Sequence, residues 1–283
     1  MLVLEVAKIN NQLLQDLIKK YKLSKKEHEI VLEFLKKKLF SNSVPNSNPS
    51  IMFVIGQPGC GKTTYINNEK LSHYVIINSD DYRYLNKYSN EILNKYPTSY
   101  AKLTNYDAHL WGDELFYYAI QNGYSVLREK APIDTSLLKV IETIPCEYDV
   151  VLNVVVAGNL SSLLATRERY EKEILVNKSA KLSNIESHNK CYDLLPDFIF
   201  RCIHLGVKIN YVVPLVEQYK VIPVGDNYLE LLKHLQQYSN DHTCLTYKKR
   251  MDNIKKRMVA RNASQEQFDE LKKIESIYYD MTN

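Results

Sequence analysis

Two short stretches of this 283-residue chain set out residue types in an order suited to phosphoryl chemistry. The first is Gly56-Gln57-Pro58-Gly59-Cys60-Gly61-Lys62-Thr63, followed by Thr64, which satisfies the pattern G-x-x-x-x-G-K-S/T. Glycines let backbone amides converge on phosphate oxygens. A lysine at the end of such a turn reaches the β- and γ-phosphates, and the hydroxyl beside it ligates Mg²⁺. The expected ligand is a nucleoside triphosphate, ATP or GTP, held by residues 56–64 with Thr63 on the metal. Cys60 lies inside the turn. A helix N-terminus and a nearby lysine favour thiolate, but the position tolerates many residues, and a passive filler is the preferred reading.

The second stretch is Asn78-Ser79-Asp80-Asp81-Tyr82-Arg83. A carboxylate at the carboxyl end of the strand that follows the phosphate-binding helix can take a proton from an acceptor hydroxyl or help to hold a metal. Asp80 or Asp81 could instead cap the next helix, and with two aspartates both roles can be filled. GTPases need a base-reading N-K-x-D after a strand, and the chain has none.

These residues need a scaffold, and the pattern around them supplies one. Apolar runs at Ile51 to Ile55, Tyr74 to Asn78, Ser125 to Arg128, Val150 to Val156 and Lys208 to Val213 read as strands. Helical stretches lie between them, among them Thr63 to Lys70, His109 to Asn122 and Leu160 to Glu173. Continuous apolar strands separated by helices imply an α/β fold with a mostly parallel sheet flanked by helices. Residues 1–45 read as a helical hairpin and polar linker: Val6, Ile9, Leu13, Leu17 and Tyr21 recur at helical spacing, as do Ile30, Phe34, Leu35 and Leu39. Ser24 and Glu27 form a capping-box pattern, and SNSVPNSNPS follows as the linker. Residues 46–240 form the expected catalytic domain, and 241–283 a helical C-terminal appendage. In the appendage Met251, Ile254 and Met258 sit among seven basic residues between Lys248 and Arg261, with Asp252 the only acid there. Ser264 and Gln267 form a second capping-box pattern before Phe268, Leu271, Ile274 and Tyr278. A solvated basic face is the simpler reading of this appendage, and a nucleic-acid or anionic-surface contact the sharper one.

The composition, 45% hydrophobic and 25% charged, is that of an ordinary globular protein. The net charge of +4 suits anionic ligands and is too small to argue for nucleic acid, which is not an expected partner. Five scattered cysteines without a C-x-x-C pair point to a reducing compartment and no zinc site. No signal-peptide pattern and no membrane-length apolar run occur, so a cytoplasmic location is expected, with no membrane partner.

In several motifs, from about residue 51 to about residue 200, the chain resembles the zeta-toxin family of P-loop kinases, toxins of bacterial toxin–antitoxin systems. GQPGCGKTT is close to the family's phosphate-binding turn, and YVIINSDDYR to its strand ending in D-x-D. NGYSVLRE is similar to its G-Y, strand and terminal glutamate, and RERYE, 167–171, to the arginine that opens its phosphate-clamping lid. His188 to Pro196 resembles the post-lid helix. The resemblance implies a P-loop kinase that uses ATP and Mg²⁺ to phosphorylate UDP-N-acetylglucosamine or a related amino-sugar nucleotide, interfering with cell-wall precursor metabolism. It implies Asp80 as the catalytic base, with Lys62 and an arginine, Arg169 or alternatively Arg167, on the transferring phosphate. Lys181 stands where a second arginine is usual and supplies charge without the guanidinium fork. Ser79, Asp80, Arg83, Asp113 and Glu129 are the implied substrate-binding set. The family glutamate is normally followed by Gly-Thr and then an arginine, whereas Glu129-Lys130-Ala131-Pro132-Ile133 keeps only the acid. The same core could therefore serve another acceptor, such as NAD or a nucleic-acid 5′-hydroxyl end, or act as a non-catalytic nucleotide sensor. The implied protein partner is an antitoxin. Residues 1–40 could take that inhibitory role in cis, or could simply complete the core.

Overall fold

The structure is a computed structural model that describes residues 11–69, 71–96, 99–132, 134–177, 182–215, 218–241 and 244–282. In chain order the first elements are α1 (Asn11–Tyr21), α2 (Lys25–Phe40), β1 (Ser50–Ile55), α3 (Lys62–Asn68) and β2 (Val75–Ile77). A 3₁₀ helix (Ser79–Leu85), α4 (Ser89–Lys95), α5 (Tyr100–Gln121), β3 (Val126–Lys130) and α6 (Ser136–Glu142) follow. The remainder are β4 (Asp149–Val155), α7 (Asn159–Asn177), α8 (Ile185–His204), β5 (Lys208–Pro214), β6 (Tyr219–Pro223), α9 (Tyr228–Asp241), α10 (Cys244–Ala260) and α11 (Gln265–Thr282). The strands form one sheet in the order β2-β3-β1-β4-β5-β6. β4 pairs in parallel with β1 and with β5, and β6 closes the edge antiparallel to β5.

The five expected strands are present. β6 was not expected: its YKVIP run is short and mostly exposed, so it has no buried alternation to announce it. By internal contacts the described residues fall into two compact units, one of 11–49 and 73–126, the other of 50–72, 127–177 and 182–282.

In the first unit the chain's own caps and aromatics explain the α1–α2 hairpin. Ser24 caps α2: its hydroxyl accepts from the Glu27 amide while the Glu27 carboxylate accepts from the Ser24 amide at 3.0 Å, the capping box expected from the pattern. Leu17 and Tyr21 on α1 pack with Ile92 and Leu103. Burial, reinforced by Glu91, pushes the Tyr21 phenol up to about 12, and that phenol donates to Glu91 at 3.0 Å. Trp111, wholly buried on α5, donates its indole N–H to the His28 carbonyl at 3.1 Å and stacks on the His28 ring. The hairpin thus completes the core of this unit.

In the second unit β1 and β4 run in register from Ser50↔Asp149 to Ile55↔Val154, and Ile51, Phe53, Val54, Ile55, Leu152, Val154 and Val155 are buried. One polar residue enters this core. Asn153 donates to the Tyr65 hydroxyl at 3.0 Å and accepts from Asn210 at 2.9 Å, so its amide is satisfied. A second cluster joins Leu160, Leu163 and Leu164 of α7 to Tyr247, Met251, Ile254, Met258, Leu271 and Ile274 of α10 and α11. The apolar spacing read in the C-terminal segment is therefore core packing, worth roughly 1.5–3 kcal/mol for each fully buried side chain. Lys248, Lys249 and Lys256 stay exposed, while Arg250, Lys255 and Arg261 pair with Glu168, Glu275 and Glu171.

Candidate functional site

The turn between β1 and α3 has the backbone its glycines permit. Gly56, Gly59 and Gly61 all have positive φ, at 147°, 82° and 100°. At Gly59 the conformation is also a packing requirement. A Cβ there would lie 2.1 Å from the Ser162 carbonyl oxygen and 2.8 Å from Thr166 Cγ2, so α7 seals one side of the turn. Gln57, fully buried, binds the turn to the same region by donating to the Ala157 carbonyl at 2.8 Å and the Ser162 hydroxyl at 3.2 Å. Pro58 lies between these two anchors.

Lys62 is buried, and its ammonium donates to the carbonyls of Gly56 at 2.9 Å and Gln57 at 3.2 Å. Thr63 Oγ1 donates to Glu129 Oε2 at 3.0 Å, and Lys62 Nζ lies 4.0 Å from Glu129 Oε1. Glu129 sits near the end of β3, the neighbour of β1 in the sheet. Strand order thus brings together an ammonium, a hydroxyl and a carboxylate from positions 66 and 67 residues apart. Thr64, the last residue of the motif, is exposed on the first turn of α3. Cys60 is buried, and burial pushes its thiol up against the opposing pull of Lys62, which agrees with a passive filler.

α7 presents opposite faces to two neighbours. Ser162, Thr166, Arg169 and Glu173 fall at i, i+4, i+7 and i+11, one stripe of the helix. The first two contact the phosphate-binding turn, and Arg169 continues that stripe half-exposed, 3.8 Å from Glu173. Arg167 is buried and donates to Glu270 of α11 at 2.9 Å. Ser162 also bonds His188 of α8 at 2.8 Å, and burial holds that imidazole below its ordinary value. Neither Gln57's anchoring role nor the Ser162–His188 bond was read from the sequence. A lone serine inside a helix gives no pattern, and only the packed fold shows its partners. Lys181 lies outside the described residues.

The second stretch folds as the 3₁₀ helix after β2. Its cap is neither aspartate: the Asn78 side chain accepts from the Asp80 amide at 3.2 Å, correcting the capping role considered for Asp80 or Asp81. Asp80 is half-exposed, and its Oδ1 accepts from Arg83 Nε at 2.9 Å and Nη2 at 2.5 Å. Arg83 is buried, and its other bonds go to the Ala101 carbonyl, Thr104 and Asn105 at the start of α5. Ser79 opens the same turn. Asp113 is half-buried on α5, beside Glu114, whose carboxylate lies 2.6 Å from His28 Nε2. No group of three or more metal-ligating His, Cys, Asp or Glu side chains occurs among the described residues, and no described helix is long and apolar enough to cross a membrane.

Known structures resemble this chain to different degrees. A chain from the molecular and structural characterization of the PezAT chromosomal toxin–antitoxin system of Streptococcus pneumoniae superposes with a TM-score of 0.72 at 20% identity, over 83% of this chain and 98% of its own. A chain from the crystal structure of AvrRxo1-ORF1:-ORF2 with ATP gives a TM-score of 0.49 at 12% identity, over 80% of this chain and 77% of its own. A putative kinase from Chloroflexus aurantiacus gives 0.35 at 16% identity, over 52% and 78%. No curated protein sequence matches the chain. The mostly parallel sheet flanked by helices is a P-loop kinase-like α/β fold. The sequence profile described as zeta toxin matches residues 35–207, more than half of the length, and on that match the chain belongs to the zeta toxin family.

Proposed function

We propose that this protein is a zeta-type kinase that transfers the γ-phosphate of ATP to a hydroxyl of UDP-N-acetylglucosamine or a related UDP-amino sugar. The observation that carries the reading is the convergence of Lys62, Thr63 and Glu129 on one end of the glycine turn, with Arg169 on the α7 stripe packed against that turn.

The residues fit a magnesium-bound triphosphate. Three positive-φ glycines give the turn a backbone of the kind whose amides take phosphate, and the Thr63 hydroxyl is a hard oxygen donor of the kind Mg²⁺ accepts. Thr63 would hold Mg²⁺, which would supply charge neutralisation to the phosphates. Lys62 exchanges its bonds to the turn's carbonyls for phosphate oxygens. Arg169 neutralises charge on the transferring phosphoryl group, a role worth roughly 10³–10⁵ in rate in related enzymes, and Lys181 adds a second positive charge. Arg167 is committed to Glu270, which favours Arg169 over it for this role.

Asp80 is the general base. As the acceptor oxygen bonds to the γ-phosphorus and the bond to the β-phosphate bridging oxygen breaks, the hydroxyl proton passes to the Asp80 carboxylate and ADP leaves. Arg83 holds that carboxylate in one orientation through two bonds to Oδ1, and the start of α5 holds Arg83. Ser79, Asp113 and Glu129 hold the sugar nucleotide. An antitoxin is the proposed protein partner. The packing of the α1–α2 hairpin into its own unit supports a structural role for residues 11–40 over inhibition in cis.

Incubation of the purified protein with [γ-³²P]ATP, Mg²⁺ and a panel of UDP-sugars, NAD and 5′-hydroxyl oligonucleotides tests the acceptor. Label on UDP-N-acetylglucosamine is expected. The second reading, another acceptor, is favoured by the departure at Lys130-Ala131-Pro132, and label only outside the UDP-sugars establishes it.

A further inference from the structure

The residues of α7 that face away from the phosphate-binding turn are tied to the C-terminal hairpin α10–α11 by charge in three places. Arg250 of α10 grips Glu168 with Nε and Nη2, both at 2.8 Å, and its Nη2 also reaches the Ser161 carbonyl at 3.3 Å. Arg261, just past α10, grips Glu171 with Nε and Nη2, both at 2.7 Å, and lies over the Tyr170 ring. In the reverse direction, Arg167 of α7 donates to Glu270 of α11. Gln267 adds a bond to the Tyr170 hydroxyl at 3.0 Å.

Two of these pairs are two-pronged guanidinium–carboxylate forks, and Glu171 is only 3% exposed, so they fix both angle and distance. Apolar packing of Leu160 and Leu164 against Met251 and Ile254 would hold the helix to the hairpin. By itself it tolerates sliding and rotation, which a fork does not. The anchored positions 167, 168, 170 and 171 bracket Arg169 on both sides in sequence, while Arg169 lies on the stripe of Ser162 and Thr166.

We propose that the C-terminal hairpin is a positioning device for the phosphate-clamping arginine. Arg250 and Arg261, through Glu168 and Glu171, set the rotation and height of α7 and so the aim of Arg169. The proposal rests on the clamping role given above to Arg169. Arg250, Arg261, Glu168 and Glu171 touch no reactant and are positioning residues. All the hairpin's contributing residues lie beyond residue 207, where the family profile ends.

The test uses the full chain and a double-mutant cycle. Release of ³²P from [γ-³²P]ATP, to UDP-N-acetylglucosamine and to water, is counted for the wild type, Arg250→Gln/Arg261→Gln, Arg169→Ala and the triple variant. Expected is a fall in kcat of about tenfold or more for the double variant, with KM for ATP within about twofold, because misplacing a catalytic group costs rate more than ground-state binding. In the Arg169→Ala background the same two substitutions should change kcat by less than about twofold, since no aim is left to lose. Equal losses in both backgrounds, or none in either, overturn the proposal. If Arg169→Ala alone leaves kcat unchanged, the clamping role itself fails, a different result from failure of the hairpin. Should Arg261→Gln unfold the chain by stranding buried Glu171, Arg261→Met/Glu171→Leu removes both charges and takes its place. Hydrogen exchange of amides 164–173 gives a reading independent of turnover. Faster exchange there than across the rest of the second unit is expected, and exchange no faster than across the rest of that unit rejects the device.

Discussion

Thr63 Oγ1 and Glu129 Oε2 are hydrogen-bonded at 3.0 Å, joining the end of the glycine turn to the acidic end of the neighbouring strand. Neither motif names the other in sequence. The sheet order, with β3 beside β1, is what makes them one site.

That bond separates the two residues' roles by kinetics. Glu129→Gln should raise KM for UDP-N-acetylglucosamine by roughly tenfold or more, the worth of a hydrogen bond to a charged group, and leave KM for ATP within about threefold. Thr63→Ala should instead raise the Mg²⁺ concentration needed for half-maximal rate. Steady-state kinetics with each component varied in turn distinguishes the two patterns.

Gly59 is fixed by both its φ of 82° and its contact with α7. Gly59→Ala should destabilise the fold by roughly 1–3 kcal/mol or more and abolish ATP-dependent stabilisation. At Gly61 a Cβ meets nothing within 4 Å, so Gly61→Ala carries only the backbone cost and should melt between the wild type and Gly59→Ala. Thermal melting with and without ATP and Mg²⁺ checks the ranking.

His188 gives the second unit a pH dependence whose sign follows from burial. Its imidazole is fully buried, and burial lowers its value below the ordinary 6.5, so the folded chain binds fewer protons there than the unfolded chain. The stability at stake is complete above pH 6.5 and declines as the pH falls below it through the folded value. Denaturant melts between pH 8 and 5 should show that decline, and His188→Gln should flatten it.

His28 ties α2 to α5 through Glu114 at 2.6 Å and its ring contact with Trp111. His28→Ala should cost about 1–3 kcal/mol, because it removes the bond to Glu114 and the stack on buried Trp111 and takes the imidazole away from the buried Asp107 carboxylate 3.6 Å from it. Chemical denaturation gives the loss. If phosphoryl transfer rises as stability falls, the hairpin restrains activity after all.

Much of this was legible beforehand, for reasons that differ by residue. The glycine turn could be read because phosphate binding demands special residues at consecutive positions, and the five expected strands because their largely buried stretches leave apolar runs, even in β2, where Ile76 is exposed. Both capping boxes could be read because each is complete within four residues; Ser264 and Gln267 exchange the expected bonds at 3.4 Å. β6 could not, since a half-exposed edge strand needs no particular pattern. The cap at Asn78 was missed because Asn, Ser and Asp are all competent caps and only the backbone geometry chooses among them. The pairing of Arg250 with Glu168 was hidden by the 82 residues between them. In sequence the basic run looked like a solvated face; in the fold three of its charges are spent on glutamates.

The most direct test of the central claim compares ³²P transfer from [γ-³²P]ATP to UDP-N-acetylglucosamine by the wild type and Asp80→Asn, with ATP affinity measured for both. The account predicts label on the sugar nucleotide with the wild type. With Asp80→Asn it predicts a loss of roughly 10²–10⁴-fold, the usual contribution of a general base, at nearly unchanged ATP affinity. Wild-type protein that labels no acceptor, or an Asp80→Asn variant that labels it at the wild-type rate, would contradict it.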